Sequence, residues 1–457
     1  MDLLEITIKK NSTLKEAMSS IDSTGIGQVL IVDDDSKLLG IATDGDIRRA
    51  LIKGEPVTTP IESLMNKDII KLRQEDIENK SQVHETVNHL KNRQKNAHYL
   101  PIVNSSDILT DFVSIKDLQK TGKLTSIPEI LEKTNKKVKH VLLIGGAGYL
   151  GTILTRKLLE KSYNVRVFDI LYFGDSHLKE FFDNPNFELI KGDMRNIAEV
   201  NKALMGIDAV VLLAGLVGDP ACKVSPEETL ETNFLATNMV ADACKYHQIN
   251  RFLFASSASV YGVQDGIVNE TSKLNPVSLY ARSKIISEEA ILRLIDENFA
   301  PTFLRMGTLY GYSPRMRFDL VVNILTMKAA TEGKIKIFGG KQWRPFLHIE
   351  DAADAYVKVL EADINKVKGE VFNVGAEDQN CQIAQLGEFV KEAYPNVIID
   401  TIEKDEDIRN YKVTSKKIEE TLGFTSTKSI KDGINEIKAA LESGEVKDPL
   451  DRKHYNS

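Results

Sequence analysis

Tyr280 and Lys284 are the residues of this sequence best placed for proton chemistry. They stand four apart in the run Pro276-Val277-Ser278-Leu279-Tyr280-Ala281-Arg282-Ser283-Lys284, so on a helix both side chains lie on one face. An ammonium beside a phenol favours the phenolate and lowers its pKa toward working pH, which lets Tyr280 act as a base. Upstream, after an apolar strand ending at Ala255, comes the hydroxyl-rich stretch Ser256-Ser257-Ala258-Ser259-Val260-Tyr261-Gly262, whose composition suits a turn.

A second chemistry is written in glycine. Gly145, Gly148 and Gly151 form GxxGxxG between the apolar run Val141 to Ile144 and a helical pattern from Tyr149 to Lys161. The first glycine permits a tight turn, the second lets backbone approach a pyrophosphate, and the third lets the helix pack closely on the sheet. The next strand, Val165 to Phe168, ends in Asp169. Its carboxylate can accept from a ribose 2′-hydroxyl and repels a 2′-phosphate, which points to NAD rather than NADP.

The totals bound the rest. A chain of 457 residues exceeds one ordinary core and predicts two or three domains. With 59 basic against 66 acidic residues the formal charge is −7, which argues against a nucleic-acid partner. Cys222, Cys244 and Cys381 are too scattered for a disulfide framework or a metal site. The N-terminus lacks a basic region followed by an apolar core, and the run Ala209 to Val217 is too short to cross a bilayer. The expectation is a soluble cytoplasmic protein with no membrane partner and no metal.

Two kinds of element must position these residues. From His140 onward strands alternate with helices: Phe187–Ile190, Ala209–Leu213, Arg251–Ala255 and Thr302–Met306 read as strands, with small or polar residues after each C-terminal end. That pattern predicts an α/β fold, a doubly wound parallel sheet of the Rossmann type with ligands beyond the strand ends. The N-terminal region instead contains a diverged repeat at an offset of 71, which lays Gln28–Val32 on Tyr99–Val103, Thr43 on Ser114 and Asp46 on Asp117. Thr13 with Glu16 reads as a capping box. The expected organisation is an α+β pair over residues 1–122, a polar linker over 123–139 with a short helix at 127–131, and the large domain over 140–445.

The repeat resembles a tandem pair of CBS domains. The resemblance implies an adenine nucleotide (AMP, ADP or ATP) held by Thr43 and Asp46 in the first copy and by Ser114 and Asp117 in the second. Asp46 and Asp117 equally suit helix caps, and the pair could serve only to assemble subunits.

The glycine turn, Asp169, the SSASVYG segment and the YARSK segment together resemble the extended short-chain dehydrogenases, in particular their nucleotide-sugar epimerases and dehydratases. The resemblance implies NAD as cofactor and a small C-terminal substrate subdomain. Tyr280 would exchange a proton with a sugar hydroxyl, Lys284 would hold the nicotinamide ribose and bias Tyr280, and Ser257, with Ser259 as the fallback, would bond the reacting oxygen. Tyr149 and Leu150 join the three glycines as cofactor contacts. Asp193 and Met194 would flank the adenine, and Ala214 and Gly215 would line the cofactor path. Arg344, in Trp343-Arg344-Pro345-Phe346, and Arg409 resemble arginines that reach a nucleotide sugar, and Thr308 stands where the family often has asparagine. His348 reads as a packed or hydrogen-bonded histidine rather than a catalyst. A homodimer or higher homo-oligomer is implied.

The family's 4,6-dehydratases usually carry an Asp and a Glu directly after the catalytic hydroxyl residue. This chain has Ala258 and Ser259 there, without carboxylates for that acid and base work. The reading is therefore an NAD-dependent epimerase, an isomerase, with a net dehydrogenase or ketoreductase as the alternative and a non-catalytic NAD and adenylate sensor as the other class.

Overall fold

The computed structural model describes residues 3–24, 26–93, 99–115, 118, 138–296, 298–403 and 409–456. Most of the predicted linker, its expected helix and Asp117 lie outside the described residues. The chain divides into two compact units, Met1–Thr134 and Asn135–Ser457.

The N-terminal unit carries the repeat. Strands β1 (Thr7–Lys9), β2 (Gln28–Val32) and β3 (Leu38–Thr43) form one sheet, and β4 (Leu72–Arg73), β5 (Tyr99–Val103) and β6 (Leu109–Ser114) another. β2 and β5, and β3 and β6, are offset by the 71 residues read from the sequence. Each copy has its own apolar core, Leu14, Val29 and Ile31 in the first and Val83, Leu100 and Ile102 in the second. A third cluster draws on both: Leu30, Val32, Leu38 and Ile41 pack with Val103, Leu109 and Phe112. The two hairpin tips exchange matched main-chain bonds, Leu38 N–H to Asp107 O and Leu109 N–H to Ser36 O, both 3.0 Å. The Thr13–Glu16 capping box is present.

In the large unit β7 (His140–Ile144), β8 (Asn164–Asp169), β9 (Phe187–Lys191), β10 (Ala209–Leu212), β11 (Arg251–Ser257), β13 (Ala300–Met306) and β17 (Val371–Val374) build one sheet; β12 (Val263–Val268) lies outside it. The order is β17-β13-β11-β10-β7-β8-β9, with every neighbour parallel. β7 shows why. Val141 and Leu143 enter a core with the helices Tyr149–Glu160 and Ile349–Glu361, while Leu142 and Ile144 enter the opposite core with Thr237–Tyr246 and Leu279–Leu292. A strand buried on both faces needs apolar residues at every position, and each contributes about 1.5–3 kcal/mol on burial. The strand order reverses between β7 and β10, which opens a crevice at their C-terminal ends.

The smaller C-terminal part comprises β14 (Thr308–Tyr310), β15 (Lys334–Phe338), β16 (Trp343–His348), β18 (Asn380–Gln382), β19 (Ile398–Ile402) and β20 (Asn410–Val413). They pair as β14-β16-β18, β15-β19 and β12-β20. The helices Val321–Glu332, Ile383–Ala393 and Ile430–Glu442 cover the first two groups around Val322, Ile335, Phe346, Leu386 and Ile434, while β12 and β20 bury Val268, Tyr411 and Val413 with Val260 and Tyr261.

Candidate active site

The glycine turn lies in the crevice. Gly145 has φ +83°, and a Cβ there would meet the Ala214 nitrogen at 2.5 Å; one on Gly151 would meet the Gly146 carbonyl oxygen at the same distance. Both glycines are thus required by the fold itself. Gly148 differs. A Cβ there would approach only Gly145 O, at 3.3 Å, so the room it leaves is open to a ligand. Gly148 is also the N-cap of Tyr149–Glu160 and supplies no side-chain cap, which leaves the first N–H groups and the positive end of the helix dipole for an anion. Tyr149 itself turns inward: its hydroxyl donates to Gly311 O at 2.6 Å, so beyond its backbone it has nothing to offer a cofactor.

Asp169 ends β8 and grips the turn. One carboxylate oxygen accepts from Ala147 N–H at 3.0 Å and the other from Leu171 N–H at 2.8 Å. Burial raises its pKa, against the pull of these bonds. Each oxygen keeps a second lone pair, enough for ribose hydroxyls. Met194 is buried against Phe168 and Ile144, and Asp193 is forked onto Arg195 Nε and Nη2 at 2.9 and 2.7 Å. Gly215 sits beside Asn233, whose amide accepts from Leu216 N–H and donates to Leu216 O, both at 2.8 Å. The residues present fit a dinucleotide.

Across the crevice, the helix Leu279–Leu292 is capped by Ser278, whose hydroxyl accepts from Ala281 N–H at 3.2 Å. Tyr280 lies in the first turn, where the helix dipole favours a phenolate. Lys284 is buried; its Nζ donates to Ala255 O at 2.7 Å and lies 5.8 Å from the Tyr280 ring centroid and 4.7 Å from that of Phe254. Burial pushes its pKa down to about 8. Ser257 ends β11, its hydroxyl accepting from Ser259 N–H at 3.2 Å. The Ser259 hydroxyl is buried and has no hydrogen-bond partner, so the loop presents two oxygens, one of them unspent.

Beneath this loop is a buried network that motif reading missed. Glu288 accepts from the Ser256 hydroxyl and pairs with Arg305, whose Nε and Nη2 approach at 3.1 and 2.6 Å. Arg305 Nη1 then donates to the Tyr261 hydroxyl at 3.0 Å, which donates to Asn373 Oδ1 at 2.7 Å. The one local signal was that Glu288 continues the four-residue spacing of Tyr280 and Lys284. Asn233 was also missed; it lies in a π-helical turn, Glu231–Ala236, where Ser287 Oγ donates to its carbonyl at 2.8 Å.

The other expected residues separate into two groups. Arg344 is buried on β16, its Nη1 donating to Trp343 O at 2.7 Å and to the main-chain carbonyl of Arg409, so the structure brings these two arginine positions together. Thr308 opens β14 and pairs with Phe346 in register. His348 is a structural residue: its Nδ1 accepts from Glu350 N–H and its Nε2 pairs with Glu436 at 2.9 Å. In the N-terminal unit Asp46 is taken up by its own helix. Its carboxylate accepts from Thr43 N–H and Oγ1 at 2.9 and 2.7 Å and pairs with Arg49 at 2.5 Å. Ser114 ends β6 opposite Tyr99. Among the described residues no cluster of three or more His, Cys, Asp or Glu is placed to hold a metal, and no helix is long and apolar enough to cross a membrane.

A family model described as the NAD dependent epimerase/dehydratase family matches residues 141–375, just over half the chain. The chain belongs to that family. NAD is the family's cofactor, and a second model, the CBS domain, matches residues 5–53. Among curated relatives, the human sterol-4-alpha-carboxylate 3-dehydrogenase, decarboxylating, is 30% identical over 240 residues, which are 50% of this chain and 60% of that one. The chain thus spans less than two thirds of that protein's length. The UDP-N-acetyl-alpha-D-glucosaminuronate decarboxylase of Bacillus cytotoxicus is 26% identical over 317 residues, 65% of this chain and 96% of that one. Among solved structures, UDP-glucuronic acid 4-epimerase from Bacillus cereus, in complex with UDP-glucuronic acid and NAD, is 26% identical with a TM-score of 0.61, covering 66% of this chain and 99% of that one.

Proposed function

We propose that this family member is a nucleotide-sugar epimerase working through a transient keto sugar. Bound at the glycine turn and Asp169, NAD supplies a hydride acceptor that is restored within each turnover. Tyr280 takes the proton of a sugar hydroxyl as the hydrogen on the same carbon leaves as hydride, and returns it after the keto sugar has presented its other face. Lys284 supplies the charge that keeps Tyr280 poised, Ser257 holds the reacting oxygen, and Thr308, Arg344 and Arg409 face the nucleotide diphosphate, guanidinium being the group best matched to it. Gly145, Gly148, Tyr149, Leu150, Gly151, Asp193, Met194, Ala214 and Gly215 form the cofactor's bed. The observation that carries the reading is the Ser257, Tyr280 and Lys284 set followed by Ala258 and Ser259, a site equipped for reversible oxidation but not for elimination of water.

A net oxidation, with or without loss of carbon dioxide, uses the same three residues; the likeness to the sterol dehydrogenase favours it as the second reading. The test is mass spectrometry of products after incubation with UDP-, GDP- and dTDP-sugars, UDP-glucuronic acid included, without added cofactor. A separable isomer of unchanged mass supports the epimerase. Loss of carbon dioxide, or loss of a hydrogen pair that appears only once NAD is added in excess as the oxidant, favours the second reading, and loss of water overturns the case against dehydration.

For the N-terminal unit we propose an adenine nucleotide site at Thr43, Asp46, Ser114 and Asp117 that modulates a homo-oligomeric enzyme. Kinetics and assembly unchanged across an ATP, ADP and AMP titration would remove that proposal.

A further inference from the structure

Arg315 is a buried cation short of counter-charge. It lies on the loop after β14, which is moored to the first turn of Tyr149–Glu160: Ser313 Oγ donates to Tyr149 O at 2.9 Å, and the Tyr149 hydroxyl donates to Gly311 O and accepts from Asn323 Nδ2 at 3.1 Å. The loop therefore stands against the end of the helix that the glycine turn opens. Arg315 is 4% exposed. Its Nη2 donates to Asn456 Oδ1 at 2.6 Å, its guanidinium carbon lies 3.8 Å from the ring centroid of Phe173 on the segment following Asp169, and its Nε is buried with no hydrogen-bond partner.

The contrast with its neighbour is informative. Arg317 forks onto Asp319 at 3.1 and 2.5 Å, whereas the hydrogen-bond acceptor beside Arg315 is a neutral amide. Burial and then the nearness of Arg317 pull the Arg315 pKa down to about 10. Asp319 and then Asp169 oppose this through space, but Asp319 is already forked onto Arg317 and the Asp169 oxygens already accept from Ala147 and Leu171 N–H. A guanidinium with an unspent donor, beside an uncapped helix N-terminus, is a site for a phosphate-type anion.

We propose that Arg315, aimed by Phe173 and Asn456, donates a charge-assisted hydrogen bond to the pyrophosphate of the dinucleotide seated on the glycine turn. The inference rests on NAD occupying this chain's crevice. The same chemistry could come from a 2′-phosphate, which the Asp169 carboxylate disfavours.

The test uses the full chain stripped of nucleotide and titrated calorimetrically with NAD, ADP-ribose, NADP and adenosine, the last carrying no phosphate. R315Q should weaken NAD and ADP-ribose by about ten- to a hundredfold, the worth of one charge-assisted bond, and leave adenosine within about twofold. R315K should recover part of the loss. N456D, which sets a carboxylate on the guanidinium while keeping its packing, should weaken NAD by about tenfold and decides the matter if R315Q fails to fold. NAD affinity unchanged in R315Q, or in N456D where R315Q does not fold, overturns the proposal. Equal losses for adenosine and ADP-ribose also overturn it, and a loss confined to NADP transfers the contact to the 2′-phosphate. Wild-type protein that binds neither NAD nor ADP-ribose overturns the cofactor reading on which the proposal stands.

Discussion

Lys284 and Glu288, one helical turn apart, bind consecutive residues of a single strand: Lys284 Nζ holds the carbonyl of Ala255 and the Glu288 carboxylate holds the hydroxyl of Ser256. The next residue is Ser257. The helix that carries the base thus fixes the strand end that carries the reacting hydroxyl, so Tyr280 and Ser257 are placed by one rigid junction.

Tyr280→Phe should lower turnover by about 10²–10⁴-fold, the usual range for loss of a general acid–base, while the protein keeps its NAD. Steady-state rates and the NAD content of purified protein check it together. A variant as active as wild type would remove Tyr280 from the acid–base role.

Lys284 gives a pH dependence with opposite signs for activity and stability. Its pKa in the folded chain is about 8, lowered by burial from the ordinary lysine value. Turnover should therefore fall as pH rises through about 8, because the ammonium that poises Tyr280 is lost. The unfolded chain still binds that proton up to about pH 10.4, so this group's contribution to stability is flat below about 8 and rises between the two values. K284M should abolish that rise in denaturant midpoints; a midpoint profile identical to wild type would contradict the assignment.

Arg305→Met leaves the buried Glu288 carboxylate without its ion partner. Removing one member of such a pair costs about 3–5 kcal/mol, readable as a shift of the urea transition. The double variant Glu288→Leu with Arg305→Met should regain much of that stability but not the activity, because Ser256 loses its tether. Recovery of both would make the network purely structural.

Asp169→Ser removes the acceptor for Ala147 N–H and the charge that repels a 2′-phosphate. NAD affinity should drop by about tenfold or more, with NADP gaining relative to NAD. Fluorescence titration with both cofactors checks this; an unchanged NAD to NADP ratio would refute the role.

Thr43→Ala should destabilise the N-terminal unit by about 0.5–2 kcal/mol in the absence of adenine nucleotide, the range for loss of a helix cap. Denaturant unfolding of the chain reads it. No shift would mean that the Thr43 and Asp46 bonds do not form in solution.

Local pattern carried the parts of the fold that obey local rules. β7 could be read because both its faces are buried, leaving no polar position in Val141–Ile144, and the glycine turn because each glycine answers a contact or a ligand. The repeat at 71 residues located β5 and β6 from β2 and β3. What stayed hidden depends on contacts between distant positions: Tyr261 with Asn373, Glu288 with Arg305, Arg315 with Asn456. Nothing in the type or neighbours of Arg315 sets it apart from a surface arginine until the fold buries it. Asp46 illustrates the converse, since a carboxylate three residues after a threonine is equally a nucleotide ligand and a cap, and the structure shows it at work as the cap.

The exchange between the hairpin tips, Leu38 to Asp107 and Leu109 to Ser36, has a bearing on how the N-terminal unit arose. The two bonds are interchangeable under the 71-residue offset, and the apolar cluster beneath them takes side chains from both copies in matching places. A single ancestral copy would have presented the same unpaired tip and apolar patch, and the surface that answers both is an identical copy of itself. A fragment cut to its first copy would bare that tip and that patch, and should self-associate along the same seam.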